Sequence, residues 1–228
     1  MTSGEYADAY NEVKAVGSVN STTRTAEQGH IARTWSGNFG GQFNRLLREL
    51  AALHLGGSDL ASLGNRARLF ALANTAAADA LICAWNAKKS FNFWRPQPAI
   101  RAASTDGNGQ TDEDTTWTSY MSSPNYPDYT SGGNNVGGSI TRMLALFFGS
   151  DRPFNTPFRI YWLGGAVAHP PGDPDYREYT RFSHIAKEII DARIYLGIHF
   201  RFADTEARSQ GRRVANETFR TILTKIRK

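Results

Sequence analysis

The sequence predicts an all-α fold, a helical bundle with two long loops over one end. Three observations carry this. Apolar residues recur at three- and four-residue spacing along most of the chain. Alternating β-branched runs, the mark of half-buried strands, are absent. Two Pro/Gly-rich stretches, Pro96–Thr130 and Gly149–Asp175, interrupt the helical pattern, and loops this long inside a domain usually carry function.

The elements follow in order. Glu5–Val16 reads as a short helix ended by Gly17. Thr25 and Gln28 form a capping-box pattern, in which each side chain meets an orphan N–H, so a second helix runs to about Trp35 before Gly37–Gly41 breaks it. Phe43, Leu46, Leu47, Leu50 and Leu53 mark one apolar helical face, stopped by Gly56 and Gly57. Ser58 is placed to cap a long helix from Asp59 to about Lys89. Its face of Phe70, Ala73, Ala77, Leu81 and Ala84 is mostly small, which suits close approach at a bundle centre. Asn134–Phe148 resumes the helical pattern directly after Ser131–Gly133. Tyr176–Phe202 and Glu206–Ile226 are the last two predicted helices.

With 228 residues, 40% of them hydrophobic, the chain can bury a sizeable core. It reads as one helical domain, 1–228, with N-terminal helices (1–57) packing on a bundle (58–228). The single cysteine, Cys83, lies in an Ala-rich stretch, cannot form an internal disulfide and reads as a core residue. Net charge is +5, but the bases are scattered among acids. The short Lys225–Lys228 run reads as a solvated helix end, which argues against nucleic acid as a partner. A mild positive field does favour small anions. No apolar run approaches the length of a transmembrane helix and no signal peptide opens the chain, so a soluble protein is expected, with its compartment undetermined.

Three separated clusters suggest one oxyanion pocket. Lys88 and Arg95 stand seven residues apart, with Pro96 placing Arg95 at a turn just past a helix end. Ser131-Gly132-Gly133 precedes a helix, whose N-terminus offers free N–H groups to an anion. Arg193 and His199 fall in an otherwise apolar stretch, about 120° apart on a regular helix, and Gly197 could loosen the last turn. Arginine presents a planar fork that matches oxyanions, and lysine adds a point charge. Taken singly, each has a structural alternative: a solvated helix-end charge pair for Lys88 and Arg95, an N-cap for Ser131, an ion pair with Glu188 or Asp191 for Arg193, and a satisfied core histidine for His199.

Taken together and in this order, the clusters resemble the type 2 phosphatidic acid phosphatase/vanadium-dependent haloperoxidase superfamily. Its signature is K-x6-R-P, then P-S-G-H, then S-R-x5-H-x3-D. The segments FNFWRP (91–96), YPDYTSG (126–132) and the stretch from Thr180 to Asp204 look most like the haloperoxidase branch. The resemblance implies an all-α bundle of the acid phosphatase/haloperoxidase type. It implies that Lys88, Arg95, Ser131, Gly132, Gly133 and Arg193 bind vanadate, a site phosphate could also occupy, with His199 as the axial group on the metal. Hydrogen peroxide and a halide would be the substrates of a peroxidase member. A phosphate ester would be that of a phosphatase member, with His199 as nucleophile. Relatives in that branch usually carry a further N-terminal helical portion, and apolar surface it would cover makes a homodimer plausible.

The chain departs from the pattern at three positions. Gly133 replaces the acid–base histidine, Ala192 replaces the serine before Arg193, and Asp204 lies one residue further from His199 than the signature acid. The first departure weighs more against a phosphatase, which must protonate a leaving alkoxide. It also leaves open a catalytically impaired oxyanion-binding protein. His169, His184 and Asp128 could stand in for the missing histidine but read as loop or surface residues. Asp204 reads equally as the group that orients His199 or as a helix cap. Phe93, Trp94 and Trp117 read as core aromatics, with Trp94 a candidate for lining the site.

Overall fold

Helices build nearly all of the fold, as the periodicity predicts, and their order in the chain brings the three clusters together. The computed structural model describes residues 1–57 and 59–224. Eight α-helices are assigned: α1 (Gly4–Val16), α2 (Ala26–Thr34), α3 (Phe39–His54), α4 (Leu60–Phe91), α5 (Pro96–Arg101), α6 (Gly132–Phe147), α7 (Phe182–Tyr195) and α8 (Arg201–Thr221). The capping box is present: the Thr25 hydroxyl accepts from Gln28 N–H and the Gln28 side chain from Thr25 N–H.

α6 is the hub, packing most extensively on α8 and then on α4 and α7. Its crossing with α8 is close because the contact residues are glycines. A Cβ on Gly211 would drive into the Asn135 carbonyl, and one on Gly138 into the backbone at Arg208. The main core joins Phe43, Leu46, Leu47 and Leu50 of α3, Leu69, Leu72, Ala73 and Ala76 of α4, Ile140, Met143 and Leu144 of α6, and Ile185 and Ile189 of α7. A second cluster seats α1, through Tyr6, Tyr10 and Val13, against Ile100, Trp117, Ile194 and Phe200.

Several expectations need correction. Leu53 is 73% exposed, because α3 turns its fifth apolar position to solvent. α3 starts at Phe39 with Asn38 as its cap, so Gly40 and Gly41 lie inside it. Ser58 lies outside the described residues, and Asp59 caps α4 by accepting from Ser62 N–H. The buried face of α4 is Leu69, Leu72, Ala73, Ala76, Ala80, Ala84 and Lys88, rotated from the predicted face, which leaves Leu81 39% exposed and Cys83 half-buried. By length and composition alone the stretch Leu60–Arg101, with a window of mean hydropathy 1.3, is long and apolar enough to cross a membrane, a property that core helices of bundles share. Its packed stripe includes Leu69, Leu72, Ala73, Ala76, Ala80 and Ala84, while Leu81 and Ile82 are 39% and 59% exposed.

A two-stranded antiparallel hairpin, β1 (Phe158–Tyr161) and β2 (Tyr176–Tyr179), stands where no strand was predicted. Each strand has four residues, too few to show alternation. It is tied to α7 through Glu188, which accepts from Arg177 (2.7 Å), Tyr179 OH (2.5 Å) and Trp35 Nε1 (3.0 Å). The predicted helix 176–202 is therefore a strand followed by α7, and the last helix begins at Arg201 and ends at Thr221; residues 225–228 lie outside the described residues.

The break between α7 and α8 rests on Gly197, at φ +75°. A side chain there would be strained and would collide with the Gly17 carbonyl. Gly197→Ala should therefore lower stability by about 1–3 kcal/mol, read as a shift of the urea midpoint at unchanged slope. An unshifted midpoint would show that the turn tolerates a Cβ.

Candidate active site

Lys88 lies in the last turn of α4 and is 2% exposed. Asn92 ends α4 in a left-handed conformation (φ 44°), its N–H donating to the Lys88 carbonyl at 3.0 Å. The chain then turns so that Arg95 stands at the N-cap of α5 with Pro96 behind it. Both cations grip the strand of loop at 126–128. Lys88 Nζ donates to the carbonyls of Pro127 (2.6 Å) and Asp128 (2.8 Å), and Arg95 Nε to that of Tyr126 (2.8 Å). Arg95 Nη1 donates to the Ile198 carbonyl (2.7 Å) and stands 3.4 Å from His199 Nε2.

His199 follows the Gly197 break and is 2% exposed. Its Nδ1 is hydrogen-bonded to Asp128 Oδ1, while Asp128 Oδ2 accepts from Phe200 N–H at 3.3 Å. Arg193, in the last turn of α7, reaches the same pocket. Its Nη1 donates to the Trp35 carbonyl at 3.4 Å, and its buried Nε has no partner. Ser131 caps α6, its hydroxyl accepting from Asn134 N–H. The N–H groups of Gly132 and Gly133, in the first turn, have no intrahelical acceptor.

Charge in this pocket is unbalanced. Among the described residues, no carboxylate lies within 4.0 Å of Lys88, Arg95 or Arg193. Burial, then repulsion from Arg95, draws the Lys88 ammonium down to about 8. Burial draws Arg193 down to about 10, and Arg95 is lowered for the same reason. Burial, with Arg95, Arg193 and Lys88 adding repulsion, holds His199 well below its ordinary range. The imidazole is neutral at pH 7, so with Nδ1–H donated to the Asp128 carboxylate, Nε2 keeps its lone pair. Burial pushes Asp128 up to about 7, against the pull of Arg95, Phe200 N–H and Lys88.

The three predicted clusters therefore come together: Lys88, Arg95, Ser131, Arg193 and His199 are buried, and Gly132 and Gly133 share a cavity wall with Arg193. The ion-pair alternative for Arg193 fails, because Glu188 pairs with Arg177 and Asp191 with Arg201. Three placements need correction. Asp128, read as a loop or surface residue, is fully buried and orients His199. Its position three residues before Ser131, inside the quoted 126–132 segment, was the only signal. Asp204 neither orients His199 nor caps α8, whose N-cap is Phe200. Its Oδ1 accepts from Asn134 Nδ2 at 2.7 Å, and its Oδ2 is buried without a partner. Trp94 packs with the α1 cluster beside Phe93. His169 and His184 make no contact with the pocket residues, and His184 is exposed.

A residue the sequence reading passed over stands at the vacant motif position. The Phe39 ring lies 3.3 Å from where a Cβ on Gly133 would sit, and 5.7 Å from the Arg193 guanidinium. Buried Trp35 and Phe43 flank it, with ring centroids at 5.5 and 6.4 Å. A cavity of about 500 Å³ opens in front of these groups, and Gly132, Gly133, Arg193, Phe39 and Tyr126 line it. Lys88 and Arg95 sit deeper, behind the Tyr126 ring, at 5.3 and 4.7 Å from its centroid.

The VCPO second helical-bundle domain matches residues 68–228. The chain belongs to that family. The vanadium chloroperoxidase of Curvularia inaequalis is 26% identical over 90% of this chain and 41% of its own length. A bacterial vanadium-dependent iodoperoxidase structure superposes with a TM-score of 0.69 at 26% identity, over 93% of this chain and 48% of that one. An apo bacterial vanadium-dependent chloroperoxidase structure shares the fold, with a TM-score of 0.75 at 18% identity. The chain spans about two fifths to half of the length of these vanadium haloperoxidases.

The buried acid supplies a pH test. Burial, with the charge of Asp128, pushes Asp204 up to about 8, opposed by Ser131, Arg193 and Asn134. A raised carboxyl binds its proton more tightly when folded. Its contribution is therefore full below an unfolded value of about 3.9 and is lost as pH rises through about 8. The stability difference between wild type and Asp204→Asn should shift against wild type as pH rises from 5 to 8, measured by urea unfolding. A constant difference would show that Asp204 is ionised throughout.

Proposed function

We propose that this protein is a vanadium-dependent haloperoxidase-like enzyme. One observation carries the reading: three buried cations, none with a carboxylate within 4.0 Å, act on a neutral imidazole whose Nε2 has Arg95 Nη1 at 3.4 Å, in a chain of the VCPO family. Such a donor set fits an oxyanion. The orphaned Arg193 Nε and the first-turn N–H groups of α6 need an acceptor, and unpaired buried cations need a negative charge. Lys88, Arg95, Arg193, the Ser131 hydroxyl and the Gly132 N–H would hold the oxygens of vanadate, with Gly133 allowing close approach. His199 Nε2 would ligate the metal, and phosphate could occupy the same cradle.

Vanadate held there would supply Lewis-acid activation of hydrogen peroxide for two-electron oxidation of a halide. The chain's own residues do the rest. Asp128 fixes the tautomer and ring plane of His199, as carboxylates do for metal-bound histidines. The three cations bind the anion and draw charge from its oxygens in a site shielded from water. Lys88, with its ammonium lowered to about 8, is the cation whose proton is most readily shared with a bound oxygen. The reading of one unit, with 1–57 packed on 58–228, belongs to this proposal, since α3 packs into the main core, α1 into the second, and Phe39 reaches the site.

Phe39 favours peroxidase over phosphatase chemistry. It puts an apolar ring where a leaving-group acid would stand, and losing such an acid costs roughly 10²–10⁴ in rate. Protein incubated with vanadate should brominate a dye with bromide and peroxide faster than free vanadate does. His199→Ala should abolish that excess and weaken vanadate binding. No excess in wild type would sink the peroxidase reading, and hydrolysis of p-nitrophenyl phosphate instead would favour the phosphatase. Tight vanadate binding with neither activity would leave the impaired binding protein.

Asp128→Asn should cut vanadate affinity by about 10–100-fold, measured by equilibrium dialysis, with folding retained. Unchanged affinity would show that the carboxylate does not support the axial ring. Gly133→His alone should be poorly tolerated, since its Cβ meets Phe39, and pairing it with Phe39→Ala should recover the lost thermal stability. Failure of the second change to recover it would show that Phe39 is not the obstacle.

A further inference from the structure

The cavity in front of the cradle has its own chemistry. We propose that it binds a neutral, electron-rich aromatic molecule of phenol or indole type, and that this molecule is the acceptor of the oxidised halogen. The binding stands on the cavity itself, while the acceptor role rests on the haloperoxidase reading. At about 500 Å³ the space is large for a halide or peroxide and suits a one- or two-ring compound.

Its walls select the ligand. Phe39 is fixed by Trp35 and Phe43, so it offers a pre-set ring face. Tyr126, 41% exposed, stands near it at the same cavity, backed by Trp85 at 5.0 Å. Leu81, 39% exposed, and Met121 complete an apolar surface. Cations lie by both rings: Arg193 by Phe39, and Arg95 and Lys88 by Tyr126. They draw electron density from those rings, which favours stacking with an electron-rich partner. Among the described residues no acid lines the cavity, so a cation finds no counter-charge there. Its single charged residue, Arg193, belongs to the cradle, so an anion would compete with vanadate. At the rim Asn44 and Asn74 bond each other at 3.1 Å, and their amides can exchange that bond for one to a phenol O–H or indole N–H.

The position of this cavity gives the step. The halide yields two electrons to hydrogen peroxide, whose O–O bond breaks. A ring C–H bond is replaced by a carbon–halogen bond, and the displaced ring proton, with one proton from solvent, completes two waters. A ring held against Phe39 beside Gly133 receives the halogen next to the cradle, before it reaches bulk water.

The probe is 1-naphthol, a neutral fluorescent phenol, titrated by fluorescence and calorimetry into protein with and without vanadate. Saturable one-to-one binding is expected in both states, weakened at least about tenfold by Leu81→Glu, which places a charge at the mouth from the exposed side of α4. 1-Naphthoate should bind only in competition with vanadate. Absence of naphthol binding at millimolar concentration, or binding indifferent to Leu81→Glu, overturns the site. Vanadate-independent binding of 1-naphthoate equal to that of naphthol overturns the neutral ligand. With bromide and peroxide, wild type should give a 2-bromo to 4-bromo ratio different from that of free hypobromous acid, and Leu81→Glu should move it toward the free value. Binding without any bromination would leave the site standing and reject the haloperoxidase reading. Bromination at the free ratio would leave the haloperoxidase reading and the binding site standing and reject the acceptor role.

Discussion

The arrangement depends on three buried positive charges that the protein does not neutralise with carboxylates. Placing Lys88, Arg95 and Arg193 in one pocket costs desolvation, and the lowered ammonium and guanidinium affinities for protons record that cost. Backbone carbonyls offset part of it. Those of residues 126–128 and Ile198 take Lys88 and Arg95, and that of Trp35 takes Arg193. Carbonyl dipoles hold the cations in position, and the two buried acids nearby, Asp128 and Asp204, are not in ion-pair contact with them and have carboxyls pushed up to about 7 and about 8, so the pocket remains attractive to an anion. Glu188 and Asp191, close by in sequence, are used elsewhere, on Arg177 and Arg201, and so do not quench Arg193.

The same contacts prepare the imidazole. The loop that accepts from Lys88 and Arg95 delivers Asp128 to His199, and burial, with repulsion from the three cations, then holds the ring neutral. One local structure thus fixes anion affinity, ring tautomer and ring orientation. The Gly197 turn is the other half of this device. A continued helix would place His199 about 120° from Arg193, whereas the left-handed turn redirects it toward Arg95.

Phe39 and Gly133 form a matched pair. The helix N-terminus at 131–133 keeps its anion-binding N–H groups, while the side chain that would follow them is replaced by a ring from α3. The consequence is a pocket with a polar, cationic depth and an aromatic front. Proton transfer loses a side chain there, and organic surface gains one. The part of the sequence before the family match, residues 1–67, therefore takes part in shaping the site, through α3 and the Trp35 carbonyl.

By itself the sequence determined the helical fold, the caps at Thr25 and Ser131, and five of the side chains that meet at the pocket. Periodicity and capping chemistry are local signals that a linear string preserves, while Lys88, Arg95, Ser131, Arg193 and His199 were singled out together only by the order of their motifs, which resembles that of the superfamily. Tertiary structure decided the rest. Asp128 and Phe39 carry no pattern of their own; their roles follow from contacts with residues 71 and 94 positions away. The buried face of α4 was misread because its alanines fill nearly every side, so only packing against α6 and α8 selects one. The hairpin was missed because four-residue strands show no period, and Glu188 holds them from another element. Asp204 shows the limit most plainly: its sequence position suggested a partner for His199, but Asn134 on a facing helix takes it instead.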